Sequence, residues 1–171
     1  MVLGTFVLFC ATQAANQWLF SRLQYVPGID YVYLPAGMRL LCVLLFAEAG
    51  ALGLLLASWA INFLVQFPGD FERAFAGGIL SALAPYLVYR VARDRYGLQE
   101  SLANLSAGRL LVLALACSVA SPLLHHLYFA LEGQPHLVHG FLAMFVGDFF
   151  GTLIVIYGMK AVLVLLPRRA A

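Results

Sequence analysis

The sequence predicts an all-α bundle of about six membrane helices, and three observations predict it. Of its 171 residues, 63% are hydrophobic and only 11% charged, with a mean hydropathy of +0.91, whereas a soluble domain carries about 25% charged residues. The apolar residues run in stretches long enough to cross a hydrocarbon core, which takes about 20 residues per helix. So few charges separate these stretches that the connections are short, leaving no room for a soluble catalytic or nucleic-acid-binding domain. Residues 1–171 therefore read as a single integral membrane domain embedded in lipid.

Val2–Phe20 is apolar from its second residue, with no basic region before it and no small-residue cleavage site after it, so it reads as a retained helix. Tyr31–Ala47 and Ala49–Phe67 form one long apolar stretch that has to hold two helices and a turn at Glu48-Ala49-Gly50. Pro35 and Gly37 interrupt the first of these, as in half-helices that line cavities. If that segment is re-entrant, the count of crossings is five. Ala74–Tyr89, Leu110–Leu131 and Gly140–Leu166 complete the set. The one substantial loop, Arg90–Arg109, has room for a short interfacial helix within Gln99–Gly108.

Basic residues stay preferentially on the cytoplasmic side of a membrane. Arg90, Arg93, Arg95 and Arg109 outnumber Asp94 and Glu100 in the long loop, and Pro167-Arg168-Arg169 follows the last helix. A six-helix path puts both signals on one side, making both termini cytoplasmic in a bacterial inner membrane. The outer loops then carry Arg22 with Asp30, Asp70 and Glu72 with Arg73, and Glu132 with His136 and His139.

Arg39 and Asp148 are ionisable side chains inside apolar runs. Each costs about 2.5–3.5 kcal/mol at mid-membrane on insertion scales, so it is expected to face the bundle interior, find a partner and mark a functional site. The neutral polar residues also fall on single helix faces: Gln13, Asn16 and Gln17; Ser58, Asn62 and Gln66; Ser118, Ser121 and His125 beside Pro122; and Asp148 with Thr152. The assumed topology puts these stripes in the outer half of the membrane, where unpaired polar groups have to converge on one another. The expectation is an outward-facing small-ligand pocket anchored by Arg39 and Asp148, with hydrogen bonds from Gln13, Asn16, Asn62, Gln66, His125 and Thr152. The competing reading takes the amides as interhelical packing groups and Arg39 with Asp148 as a structural salt bridge. A balanced pair leaves the ligand's charge open.

His125, His126, His136 and His139 have spacing compatible with a metal site, although histidines at membrane interfaces more often end helices, and no metal or haem cofactor is expected. Cys10, Cys42 and Cys117 show no paired spacing and read as small core residues. Lys160 lies about 18 Å beyond Asp148 along a helix, too far to serve the same pocket. The Gly147–Gly151 pair is a GxxxG suited to close internal packing or dimerisation, with the internal role favoured. GxSxG, HExxH, Walker A and GxGxxG patterns are absent, and spacing brings no two carboxylates together within the membrane, so no enzyme is expected.

The stretch Tyr33-Leu34-Pro35-Ala36-Gly37 and the later Phe145-Val146-Gly147-Asp148-Phe149-Phe150-Gly151 resemble the motifs of the bacterial MASE1 membrane sensor domain. The resemblance runs in order over about residues 30 to 166. It implies a sensing module, usually joined to a histidine kinase or to an enzyme that makes or degrades cyclic di-GMP, and it carries over Pro35, Gly37, Gly147, Asp148 and Gly151. The chain is shorter than the family's usual eight-helix domain, so the expectation is a standalone form acting through a membrane or cytoplasmic partner. Two other readings stay open: the substrate-binding component of a vitamin or metal uptake transporter, and an accessory subunit of a membrane complex.

Overall fold

The computed structural model describes residues 1–165 and is all-α, apart from one small β-hairpin. Helix α1 covers Val2–Phe20, and a short 3-10 turn leads into the antiparallel pair β1 (Gln24–Val26) and β2 (Ile29–Asp30). The remaining helices are α2 (Leu34–Ile61, continued as a π-helical turn to Gln66), α3 (Phe71–Tyr96), α4 (Ala107–Leu131) and α5 (Leu137–Leu165). Among the described residues four stretches are long and apolar enough to cross a membrane: Leu34–Gln66, Phe71–Tyr96, Ala107–Leu131 and Leu137–Val162. Helix α1 is not among them, because Gln13, Asn16 and Gln17 dilute its apolar character.

The long apolar stretch from Leu34 turns where the sequence demanded, one residue before Glu48. Ala47 has φ 46° and ψ −123°, which breaks α2 into two arms. A straight helix would separate Arg39 from Ser58 by about 28 Å, yet both line one cavity. Gly50 in the second arm lies so close to the Cys42 carbonyl of the first that a Cβ there would overlap it. The arms therefore lie side by side. The first, Leu34–Phe46, rises only about 20 Å, less than a hydrocarbon core of roughly 30 Å.

The core forms around this reversal. Leu40, Val43, Leu54 and Ala57 are fully enclosed, with Phe9 from α1, Ala82 and Tyr89 from α3, and Ala114 and Cys117 from α4. Leu3, Leu64, Phe71, Val112, Leu127, Val138, Phe150 and Val162 face outward, while Thr5, Asn16, Arg39, Ser118, Asp148 and Thr152 are buried. Apolar side chains outside and polar ones within is the distribution expected of a protein dissolved in lipid.

The long loop is shorter than its sequence suggests. Helix α3 continues to Tyr96, so Arg90, Arg93 and Arg95 ride on its last turns, and Gly97 closes it in the left-handed conformation with φ 64°. The segment that had room for an interfacial helix is a series of turns. Asn104 supplies the order: its Oδ1 accepts from the Gln99 amide at 3.1 Å and its Nδ2 donates to the Gly97 carbonyl at 2.8 Å. Local side-chain hydrogen bonds of this kind compete directly with a helix. The bundle end near Ala47 also gathers charge. Tyr86 donates to Glu48 at 3.3 Å, Arg90 and Arg93 approach the same carboxylate, and Asp94 pairs with both arginines. Leu166 and the basic tail Pro167-Arg168-Arg169 lie outside the described residues.

Candidate functional site

Asp30 and Tyr33 reach the bundle interior because of two glycines on α5. A Cβ at Gly147 would overlap the Asp30 carbonyl and one at Gly151 the Tyr33 carbonyl, so only glycine lets the segment after the β-hairpin lie flat on the helix. The Tyr33 amide donates to the Gly147 carbonyl at 3.0 Å. Gly37, one turn into α2, packs in the same way on Thr152 and Val155. The Pro-Ala-Gly and Gly-Asp elements that carry the family resemblance thus meet in one contact, and the GxxxG serves internal packing.

Asn16 ties the first helix to this contact. Its Oδ1 accepts from the Leu34 amide at 2.8 Å, satisfying a free donor at the start of α2, and its Nδ2 lies 3.5 Å from Asp30 Oδ2. At the tip of the hairpin Gly28 has φ +89°, and a Cβ there would come within 2.9 Å of the Phe67 ring. The hairpin consequently caps the bundle at the end opposite the Ala47 turn.

Beneath it lies a cavity of about 50 Å³ that opens to the outside. Arg39, Asp148, Asn62, Gln66 and His125 all line it, together with Ser58 and residues the sequence did not single out: Asp30, Tyr33, Arg73 and Ser81. Phe9, Ile61, Phe67, Phe129 and Met144 supply apolar wall. Arg39 Nη2 lies 3.3 Å and 3.4 Å from the two oxygens of Asp148, with both side chains 3% exposed. These distances exceed the 2.7–2.9 Å of a strong charge-assisted bond, and one nitrogen serves both oxygens, so the contact is not the two-pronged fork of a bidentate pair. The Arg39 guanidinium also lies 5.2 Å from the centre of the Tyr33 ring.

Behind the ion pair a smaller cavity of about 10 Å³ is lined by Arg39, Pro85, Ser118, Ser121, Asp148 and Thr152. Two prolines loosen the backbone around it. Pro85 and Pro122 have no amide to donate to the carbonyls of Ser81 and Ser118, four residues earlier. Ser118 turns its own hydroxyl to the Ala114 carbonyl at 2.8 Å, while the hydroxyls of Ser58, Ser121 and Thr152 are buried without a partner. Unpartnered oxygens around a cavity are what a ligand or ordered water would satisfy.

Three expected site residues take other positions. Thr152 belongs to the smaller cavity. Asn16 is used up by the hairpin and by Leu34. Gln13 is buried outside the cavity with its Oε1 unpartnered, and Phe9, on the same face of α1, occupies the wall instead. Asp30 and Asp148, which no spacing rule connects, share the cavity because the hairpin folds back over α5. Burial pushes the Asp30 carboxyl up to about 6, with Asp148 adding like-charge repulsion against the opposing hydrogen bond from Gln24.

His125 and His126 each place Nδ1 2.8 Å from the carbonyl four residues earlier, which fixes the proton on that nitrogen because a carbonyl only accepts. Adjacent positions send the rings apart: His125 to the cavity, His126 over Gly140 and Phe141. His136 and His139 are exposed. Among the described residues no three His, Cys, Asp or Glu side chains gather as metal ligands. Lys160 lines a separate groove beside Leu41 and Tyr157. No protein-family model, curated protein or solved structure matches this chain.

Proposed function

We propose that this protein is a multi-pass protein of a bacterial inner membrane that binds a small molecule in an outward-facing cavity and acts through a partner protein, as a sensing module does. The observation that carries the reading is the convergence of Arg39, Asp148, Asp30, Asn62, Gln66 and His125 on one cavity at one end of the bundle. Buried ionisable groups in a membrane domain are costly and gather at functional sites. The alignment supports an outward cavity. Arg90, Arg93 and Arg95 lie at the opposite end with the Ala47 turn, the side that basic residues assign to the cytoplasm. On this reading α1 and the short first arm of α2 count as passes beside the second arm, α3, α4 and α5, for six in all with both termini cytoplasmic, against the four stretches that meet the length and hydropathy of a span among the described residues.

The packing of Tyr33 against Gly151 and of Gly37 against the neighbouring Thr152 supports the sensor resemblance, since residues of both motifs share one contact. The same cavity also suits the binding component of an uptake transporter, and flux separates the two. The first test is thermal unfolding of purified protein against metabolites, vitamins and metal ions, with Asp148→Asn in parallel. A saturating ligand at 100 times its Kd stabilises by about 2.7 kcal/mol. A shift that disappears in the variant supports the reading, and accumulation of that ligand in vesicles would move it to transport. No shift across the panel, with a variant that is merely less stable, leaves a structural ion pair and an accessory subunit.

A further inference from the structure

Arg39 has its counter-charge in Asp148, but among the described residues the second arginine of the cavity has no carboxylate within ion-pair distance. Among the described residues, the arginines in ion pairs are Arg39, Arg90 and Arg93. Arg73, on the first turn of α3, is half-buried, and its Nε is enclosed without a hydrogen-bond partner. The neighbouring carboxylate of Asp70 is committed to the helix start, accepting from the Arg73 backbone amide at 3.1 Å. Aromatic rings hold the guanidinium, its central carbon lying 4.5 Å from the centre of Phe67 and 5.7 Å from that of Phe129. Ring faces leave the in-plane N–H donors of an arginine unused. Arg73 also lines a second cavity, of about 290 Å³, under the β-hairpin, so it stands where the two spaces adjoin. Ser58, 3% exposed, adds a hydroxyl without a partner to the polar cavity.

We propose that the cavity binds a small monocarboxylate with a short apolar or aromatic body, its carboxylate held by Arg73 and its body by Phe67, Phe129 and Met144. The proposal deepens the ligand-binding reading above and rests on it. One guanidinium without an ion-pair contact calls for one carboxylate: a dianion would leave a charge unpaired, and an amine would meet Arg73 as a like charge. The planar fork of a guanidinium matches a carboxylate with two parallel hydrogen bonds. Asp30 is the cavity carboxyl without an arginine partner within ion-pair distance among the described residues; with a pKa of about 6 it takes up a proton as pH falls toward 6, so carboxylate binding is expected to tighten over that range. No covalent step is involved.

The test is binding to the full chain in lipid nanodiscs, measured by calorimetry and by thermal unfolding. The probes are benzoate and butyrate, their amides benzamide and butyramide, and the amines benzylamine and butylamine. A saturable signal is expected for a carboxylate, at least tenfold weaker for the amide on the same skeleton, and abolished in Arg73→Gln. Arg73→Lys, which keeps the charge and loses the fork, is expected to bind about tenfold more weakly, and it serves if Arg73→Gln does not fold. Preference for an amide or amine, or carboxylate binding that survives both substitutions, overturns the carboxylate assignment and leaves a binding cavity of another class. Silence from all six probes also overturns it. Silence from the broad metabolite panel as well removes the binding reading beneath it.

Discussion

The backbone amide of Tyr33 donates to the carbonyl of Gly147 at 3.0 Å, and this one bond fixes how the two charged helices face each other. It anchors the start of α2 to α5 one residue from Asp148. Arg39, less than two turns further along α2, is thereby brought opposite the carboxylate. The contact depends on the absence of side chains at Gly147 and Gly151, since a methyl group at either would meet a carbonyl oxygen.

Gly147→Ala and Gly151→Ala are therefore expected to destabilise the protein by about 1–3 kcal/mol each, the usual cost of overpacking where backbone has to move. Gly158→Ala is the control, because a Cβ there meets nothing within 4 Å. Thermal unfolding in a single detergent compares the three, and equal behaviour of all three would contradict the close approach.

Removing one member of the Arg39–Asp148 pair strands a buried charge. Arg39→Ala and Asp148→Ala are each expected to cost about 3–5 kcal/mol. The double variant is expected to lose clearly less than the sum, because the partners are in contact. A double-mutant cycle measures this coupling, and additive losses would mean that the pair does not interact.

Asp30 makes stability depend on pH. Its carboxyl lies in β2, outside the helices, facing Asn16 of α1, Gln24 of β1 and Asp148 of α5, with Arg39, Tyr33 and Arg73 around the same cavity. Its folded pKa of about 6 stands above the model-peptide 3.8. Between these values the folded state binds more protons than the unfolded state, so stability falls as pH rises. The loss amounts to at most about 3 kcal/mol and is complete above pH 6. In Asp30→Asn, which keeps a polar group beside Asn16, unfolding measured from pH 4 to 7 is expected to lose this descent.

Ala47 adopts φ 46° and ψ −123°, a conformation that L residues other than glycine rarely hold. Ala47→Gly is expected to stabilise the helix reversal by about 1 kcal/mol and Ala47→Val to destabilise it by more. Denaturant unfolding checks the sign. A destabilising glycine would mean that its extra freedom in the unfolded chain outweighs the strain relieved.

Much of this site was legible because membrane burial simplifies the reading of polar residues. Ser58, Asn62 and Gln66 recur every fourth position and do line one cavity, even though the helix widens to a π turn at Asn62. Arg39 and Asp148 stood out as charges in apolar runs and are in contact. Arg73 and Asp30 were hidden because each sits among ordinary loop charges, and only the fold turns them inward. Gln13 shows the opposite error: helical spacing put it correctly on the buried face of α1, between Phe9 and Asn16, but could not tell which side chains of that face reach the cavity.

The sequence by itself determined that the chain is a helical membrane protein, that its long apolar stretch reverses beside Glu48, and which side chains have to be buried. These follow from composition and helical period, which act within one segment. Only the tertiary structure decided that the β-hairpin closes over the cavity, that Asn16 is consumed in holding it, and that Arg73 is enclosed there with its Nε unpartnered. Such outcomes depend on which backbones approach closely enough to pair. That is set by the glycine faces of α5 and the reversal at Ala47 acting together, and no local pattern records it.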